Sequence, residues 1–301
     1  VVRLGLLANV THAPALVAIH SGRLVERLRP LRLETRVFRA GPRVVEALVG
    51  TAIDVGLTGP APVVFTRARH GAASVVIVSG HASGGASLVA IDPSVRGVAD
   101  LRGKRVAVVQ LGTTQDVSLR AALAREGLRV RDDGGDVTLV AFGGPTIKLE
   151  MARGALAAAW MPEPWASRLV LELGARRVLD ERELWPERRF SSALVATRGA
   201  FLQARRDDVA RVLEALDDEL SRANRDRGAL TEGAYQAVQA MTRGAGPKRA
   251  WTLGGAHVDF SRDPLERAIG TFAEQARAAG FVKSADTSGL FEPVGRPEPR
   301  S

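Results

Sequence analysis

Residues 100–123 read DLRGKRVAVVQLGTTQDVSLRAAL, and their pattern decides the fold. A Gly-containing turn feeds an uninterrupted apolar run, which predicts a buried strand over Arg105–Gln110. Gly112, Thr113 and Thr114 break it. Val117, Ala121, Ala124 and Leu128 then recur at spacings of four, three and four, the apolar face of a helix. Strand, polar loop, helix is the unit of an α/β protein with largely parallel sheets.

The same unit recurs on both sides of this stretch. Upstream, Val2–Leu7 predicts a strand, followed by a helix near Ala13 with Ala13, Leu16, Val17 and Leu24 on one face. Leu33–Phe38 is a second strand, and the helix after it turns Val44, Val45, Leu48 and Val49 inward. IDVGLTG (53–59) runs into Gly59-Pro60, with a helix after Pro62, and Ser74–Ser79 is a further strand. Downstream, Leu88–Ile91 is extended, Asp136–Phe142 and Ala157–Met161 are strands, and helices cover Ile147–Ala152 and the residues after Pro164. SSALVAT (191–197) opens a mostly helical remainder. Val209, Val212, Leu213, Leu216 and Leu220 form one apolar stripe there, and Leu265, Ala268, Ile269, Phe272 and Ala276 another. Asp263-Pro264-Leu265-Glu266 reads as the start of that last helix and Gly280 as its end. This order predicts two α/β lobes: residues 1–84 with 192–301, and residues 85–191. Two crossings, near Gly84–Ser87 and Phe190–Ala193, join them.

Composition narrows the function. The 301 residues are 46% hydrophobic and 25% charged, an ordinary globular balance. The net charge of +9 comes from 42 Lys plus Arg against 33 Asp plus Glu. The Arg residues are scattered, without a nucleic-acid-binding motif, so the excess reads as a solvated surface. The absence of cysteine excludes disulfides, thiolate catalysis and Cys-based metal sites. No apolar stretch reaches membrane-spanning length. The chain opens inside a strand without an initiator Met, which reads as a product whose leader or lipid-anchored segment has been removed. The terminal GRPEPRS reads as disordered.

Ligands of parallel α/β sheets lie beyond the carboxyl ends of strands, where helices begin. Four loops there mix hydroxyls or amides with Gly or Pro: Asn9 to Pro14, Gly59 to Pro62, Ser83 to Ser87, and Leu111 to Asp116. Glycine lets backbone approach a ligand, and free helix N–H groups favour an anion. Asp116 reads as a helix N-terminal residue rather than a contact. A fifth segment, Ala159 to Trp165, holds two prolines and two of the four tryptophans, which suit a partly apolar pocket wall. Of the five histidines, His12 lies in a candidate loop, His20 reads as packing, and His81 and His257 carry less signal. No HExxH, GxSxG or P-loop lysine is present.

Together NVTHAPALVA (9–18), FRAGPRVVEALVGTAIDVGLTGPAP (38–62), SGGASLV (83–89), residues 100–123, AAWMPEPWASRLVLELGARRVLDERELWP (158–186), DFSRDPLERAI (259–269) and SGLF (288–291) resemble the substrate-binding proteins of nitrate/sulfonate/taurine-type ABC transporters. The aliphatic-sulfonate-binding group is the most similar branch. The resemblance implies a type II periplasmic-binding fold, two α/β lobes closing over a cleft. It also implies an extracytoplasmic, periplasmic or lipid-anchored monomer that binds a small organic anion or zwitterion, an aliphatic sulfonate or a taurine-like solute, by hinge closure and hands it to a permease and its ATPase. No cofactor, metal, nucleic acid or chemistry is expected. Carried onto this chain, the contacts are Asn9, Thr11, His12, Gly59, Pro60, Ser83, Gly84, Gly85, Thr113, Thr114, Gln115, Trp160, Pro162, Glu163 and Asp259. Carboxylates from Glu163 and Asp259 in the cleft would repel a plain sulfonate and suit a taurine-like zwitterion or a nitrogen heterocycle. Nitrate is a further alternative, as are an enzyme or a sensory module on the same fold.

Overall fold

Strands form where apolar runs can be covered on both faces by helices. The computed structural model describes residues 1–71, 74–242 and 244–295; GRPEPRS lies outside the described residues from 296 onward. The strands are β1 (Val2–Leu7), β2 (Leu33–Phe38), β3 (Val55–Thr58), β4 (Val76–Gly84), β5 (Ala86–Ala90), β6 (Arg105–Val108), β7 (Thr138–Ala141), β8 (Ala158–Pro162), β9 (Arg176–Asp180), β10 (Ser191–Thr197) and β11 (Val258–Phe260). Among the described residues they make two sheets, in the orders β11-β4-β10-β3-β1-β2 and β7-β6-β8-β5-β9. β4 is buried along its whole length, whereas β2 carries Glu34, Thr35 and Arg36 exposed because it is an edge.

The sheets are mixed rather than wholly parallel, and the exceptions are instructive. β5 runs antiparallel to β8 and β9, and β10 antiparallel to β3 and β4. β5 and β10 are the strands by which the chain enters one sheet from the other, and β11 also runs antiparallel to β4 at the edge. β1, β2 and β3 are parallel, as are β6, β7 and β8. Their carboxyl ends are therefore free to gather loops and helix starts on one side of each sheet.

The first crossing is made by Gly84 and Gly85, at φ +77° and +81°. That conformation costs glycine little and a branched residue much. A Cβ on Gly85 would also meet Thr11 and Val258 side chains at 2.7 Å. The return crossing runs from Glu181 to Phe190. Trp185 stacks on Phe190 with ring centroids 4.5 Å apart, and both lie 5.7 Å from Phe272. The helix Glu266–Ala278 thus holds the return crossing through its buried face.

Several helix expectations need adjusting. The stripe from Val209 to Leu220 is buried on the helix Arg206–Arg225. On Thr114–Arg125, Ala124 is exposed while Leu119, Ala122 and Leu123 are buried, because this helix is covered on more than one side. Val49 is exposed, and Leu24 sits on a separate short helix, Arg23–Arg27, after Gly22 at φ +78°. The last long helix begins at Glu266, not at Pro264. Asp263 spends its carboxylate on the Leu265 amide in a local turn, and Leu265 is left-handed at φ 57°. Its end behaves as read: Gly280 is left-handed and Phe281 N donates back to Ala276 O at 2.9 Å.

Glu181, first residue of the return crossing, is fully buried and receives a hydrogen bond from Ser118 of the helix Thr114–Arg125. Its second oxygen has no partner among the described residues. Burial pushes its carboxyl up to about 7, aided by the nearby charge of Asp180 and opposed by Ser118 and the Trp160 indole. The Trp160 nitrogen itself lies outside hydrogen-bonding geometry. A carboxyl held above its unfolded value of 4.5 binds its proton more tightly in the folded chain, so stability is fullest below that value and falls as pH rises through about 7. Glu181→Gln is expected to remove this part of the decline and to exceed the wild type in denaturant stability at about pH 8. Equal pH slopes for the two proteins would show that Glu181 does not titrate in that window.

Candidate functional site

The loops after β1, β2 and β3 meet those after β6 and β8 around a cleft. The larger sheet contributes Leu7, Asn9, Thr11, His12, Arg39 to Pro42, Gly59, Pro62 and Ser192. The crossing adds Gly85 and Ala86, and the smaller sheet Val109, Gln110, Thr113 to Gln115 and Pro162. Each sheet thus presents the carboxyl ends of its parallel strands, as open α/β sheets do.

Four helices begin at this cleft: Ala13–His20, Gly41–Val49, Pro60–His70 and Thr114–Arg125. None has a side-chain cap from its own N-cap residue. Pro14, Pro42 and Pro60 each remove one amide, but the remaining first-turn N–H groups and the helix dipoles set a positive potential. One of these amides is met from across the cleft: Ala61 N donates to Thr114 Oγ1 at 3.3 Å.

The polar side chains are held in place by short-range bonds. Thr11 Oγ1 donates to Asn9 Oδ1 at 2.9 Å, and Thr113 Oγ1 to Gln110 O at 2.8 Å. His12 Nδ1 accepts from the Leu7 amide at 3.3 Å, so the neutral ring carries its proton on Nε2. Burial, with the neighbouring His81 ring 6.3 Å away, holds the His12 pKa well below the usual histidine value. His12 therefore offers a neutral N–H donor at physiological pH. Arg39 is exposed and, among the described residues, forms no ion pair. Among the described residues, no Asp or Glu lines the cleft, and no aromatic side chain other than the His12 imidazole.

Nine expected contacts line the cleft: Asn9, Thr11, His12, Gly59, Gly85, Thr113, Thr114, Gln115 and Pro162. Six are placed elsewhere. Pro60 is buried behind Gly59 as the first residue of its helix, and Pro62 faces the space instead. Ser83 accepts from the Phe190 amide at 3.0 Å, and Gly84 packs beside Arg182 and His257. Trp160 is fully buried in the core. Glu163 is also fully buried, paired with Arg177 and receiving the Ser167 amide at 3.0 Å. Asp259 is exposed, bound to Arg182 at 2.7 Å with Arg227 at 3.9 Å. The two carboxylates that favoured a zwitterionic ligand are thus turned away and neutralised by arginine. Asp116 stays a helix-start residue, accepting from Gly112 N at 2.8 Å.

Arg39, Gly41, Pro42, Gln110 and Ser192 line the cleft without having been expected there. The signal for the first three was present: Arg39-Ala40-Gly41-Pro42 follows β2 and opens a helix, the same arrangement that singled out Gly59 and Thr113.

The fold is that of periplasmic binding proteins. The periplasmic aliphatic sulphonate binding protein SsuA from Escherichia coli superposes with a TM-score of 0.81 at 20% identity, over 100% of this chain and 94% of that one. SsuA from Xanthomonas axonopodis pv. citri, an alkanesulfonate-binding protein bound to MOPS, gives 0.77 at 23% identity over 94% of each chain. In sequence, a Brucella abortus protein described as a binding protein is 26% identical over 218 residues, 72% of this chain and 65% of that protein's length. The alignment thus spans slightly less than two thirds of the relative. The NMT1-like family model matches residues 1–232, and with that span and this architecture the chain belongs to the NMT1-like family.

Proposed function

We propose that this protein is the extracytoplasmic solute-binding component of an ABC importer, closing residues 1–84 with 192–301 against residues 85–191 over a small organic anion. The observation that carries the reading is electrostatic. A cleft lined by four helix starts and Arg39 contains no carboxylate among the described residues, an arrangement that favours negative charge. Leu7, Pro42, Pro62, Val109 and Pro162 supply an aliphatic wall suited to an alkyl chain. An aliphatic sulfonate fits both halves, and the sulfonate-binding structural relatives support it.

The other ligands fit less well. A zwitterion such as taurine would place its ammonium group where no acidic side chain waits among the described residues. A pyrimidine would find no Phe, Tyr or Trp to stack on. Amides, hydroxyls and a neutral imidazole hold an anion without altering it, which suits capture and release. Hinge closure would then present a ligand-dependent surface to a permease.

Ligand binding to the folded state raises the melting temperature. Hexanesulfonate at about 100 times its Kd is expected to raise Tm by roughly 5 °C or more, with smaller shifts for taurine, nitrate and an aminopyrimidine. Differential scanning fluorimetry with that panel is the check, and a flat response to every sulfonate would sink the assignment. Arg39→Gln is expected to weaken sulfonate binding about ten-fold, as loss of one charge-assisted contact does, and to flatten its salt dependence. Calorimetry at low and high salt reads both effects, and unchanged affinity would place Arg39 outside the recognition set.

A further inference from the structure

The helix Lys248–Gly255 lies in the segment that leads to β11 of the larger sheet. Its last turn nevertheless rests on the loop after β8 of the smaller sheet. At Gly254 an added Cβ would meet Glu163 Oε2 at 2.9 Å and Glu163 Cβ at 3.1 Å. Gly254 does not have a positive φ, so its backbone gives no reason for glycine, which weakens a helix relative to alanine. What the position needs is the missing side chain.

Glu163 cannot easily step aside. Its carboxylate is bound by Arg177 and by the Ser167 amide. Arg177 is anchored in turn by Ser87 Oγ at 2.8 Å and Ser167 Oγ at 2.7 Å. The Glu163 amide donates to Gly85 O of the crossing at 2.8 Å, and its carbonyl accepts at 3.3 Å from Val10 N, in the turn that follows β1 of the larger sheet. One residue is thus tied to both sheets and to the strand link between them. Gly246 is different: its φ of +70° already calls for glycine, and a Cβ there would meet only the movable end of Arg168, Nη1 at 3.2 Å.

We infer that Gly254, seated on the buried Glu163–Arg177 pair, is the stop that sets how far the two lobes close, making it an affinity-determining position outside the cleft. The inference rests on the hinge closure proposed above. A bulkier residue at 254 props the lobes apart, and the apparent Kd rises as the closed fraction falls.

The chain has no cysteine, so Val49→Cys and Leu149→Cys give two unique labelling sites. They are 41% and 62% exposed, on helices beside the larger and the smaller sheet respectively. Spin labels there report inter-lobe distance by pulsed electron resonance, with and without hexanesulfonate. Gly254→Val is expected to deplete the short-distance population and to weaken hexanesulfonate binding about ten-fold. Gly254→Ala should do so partially, and it decides the matter if the valine variant does not fold. Gly270→Val, at a helical position where an added Cβ meets nothing within 4 Å, should leave both readouts unchanged. Folded Gly254 variants with the wild-type distance distribution would overturn the inference, as would a wild type that never samples the short distance. A wild type unresponsive to hexanesulfonate, with Gly254→Val still lengthening the distance, would retire the ligand assignment and keep the stop.

Discussion

Two adjacent glycines carry the chain between its sheets, and their backbone bonds show how much hangs on that passage. Gly84 N donates to Phe190 O of the return crossing, at 3.1 Å, and Gly85 N to His257 O, just before β11, at 2.8 Å. Gly85 O receives the Glu163 amide at the end of β8. Buried backbone groups must be paired, and here the partners come from three distant parts of the chain. Beyond the left-handed pair at 84–85 the chain continues into β5, which lies antiparallel to β8 in the smaller sheet. The parallel strands on either side keep their carboxyl ends clear, and the cleft is built from what those ends carry.

Charge is sorted around this framework by arginine. Glu163 is held by Arg177, Asp259 by Arg182, and Asp180 also by Arg182. Asp180 stays well below the ordinary carboxylate range despite burial, because the His257 ring lies 3.8 Å away and Arg182 donates to it from its backbone amide and its guanidinium. A chain with many arginines can thus afford acidic residues near its hinge without exposing them to the cleft. Arg39 is the contrast: an arginine at the cleft with no acid among the described residues to answer it.

Much of this was legible in the sequence, for local reasons. A loop between an apolar run and a helical stripe announces itself through Gly, Pro, Thr and Asn, and Gly59, Thr113 and Thr114 all lie where that pattern puts them. The stripe on Arg206–Arg225 was equally plain because only one face is covered. The failures were of facing and of partner. In β8, Ala159 and Met161 point to one apolar cluster and Ala158 and Trp160 to another. With both faces buried, alternation could not say which side Trp160 takes. Glu163 is polar beside prolines, which looks like a site until Arg177, fourteen residues on, is seen to claim it. Arg39 was overlooked because it follows an exposed edge strand, where a charged residue draws no notice.

The placement of the tryptophans has an optical consequence. Trp160, Trp185 and Trp251 are buried in the core, and Trp165 packs on Gly144 beneath the Arg168 guanidinium. None borders the cleft. A bound solute therefore has no indole beside it to quench directly, and of the four indoles only that of Trp185 belongs to a crossing. Trp185, stacked on Phe190 within the return segment, stands where the bending of the molecule would be written into its light.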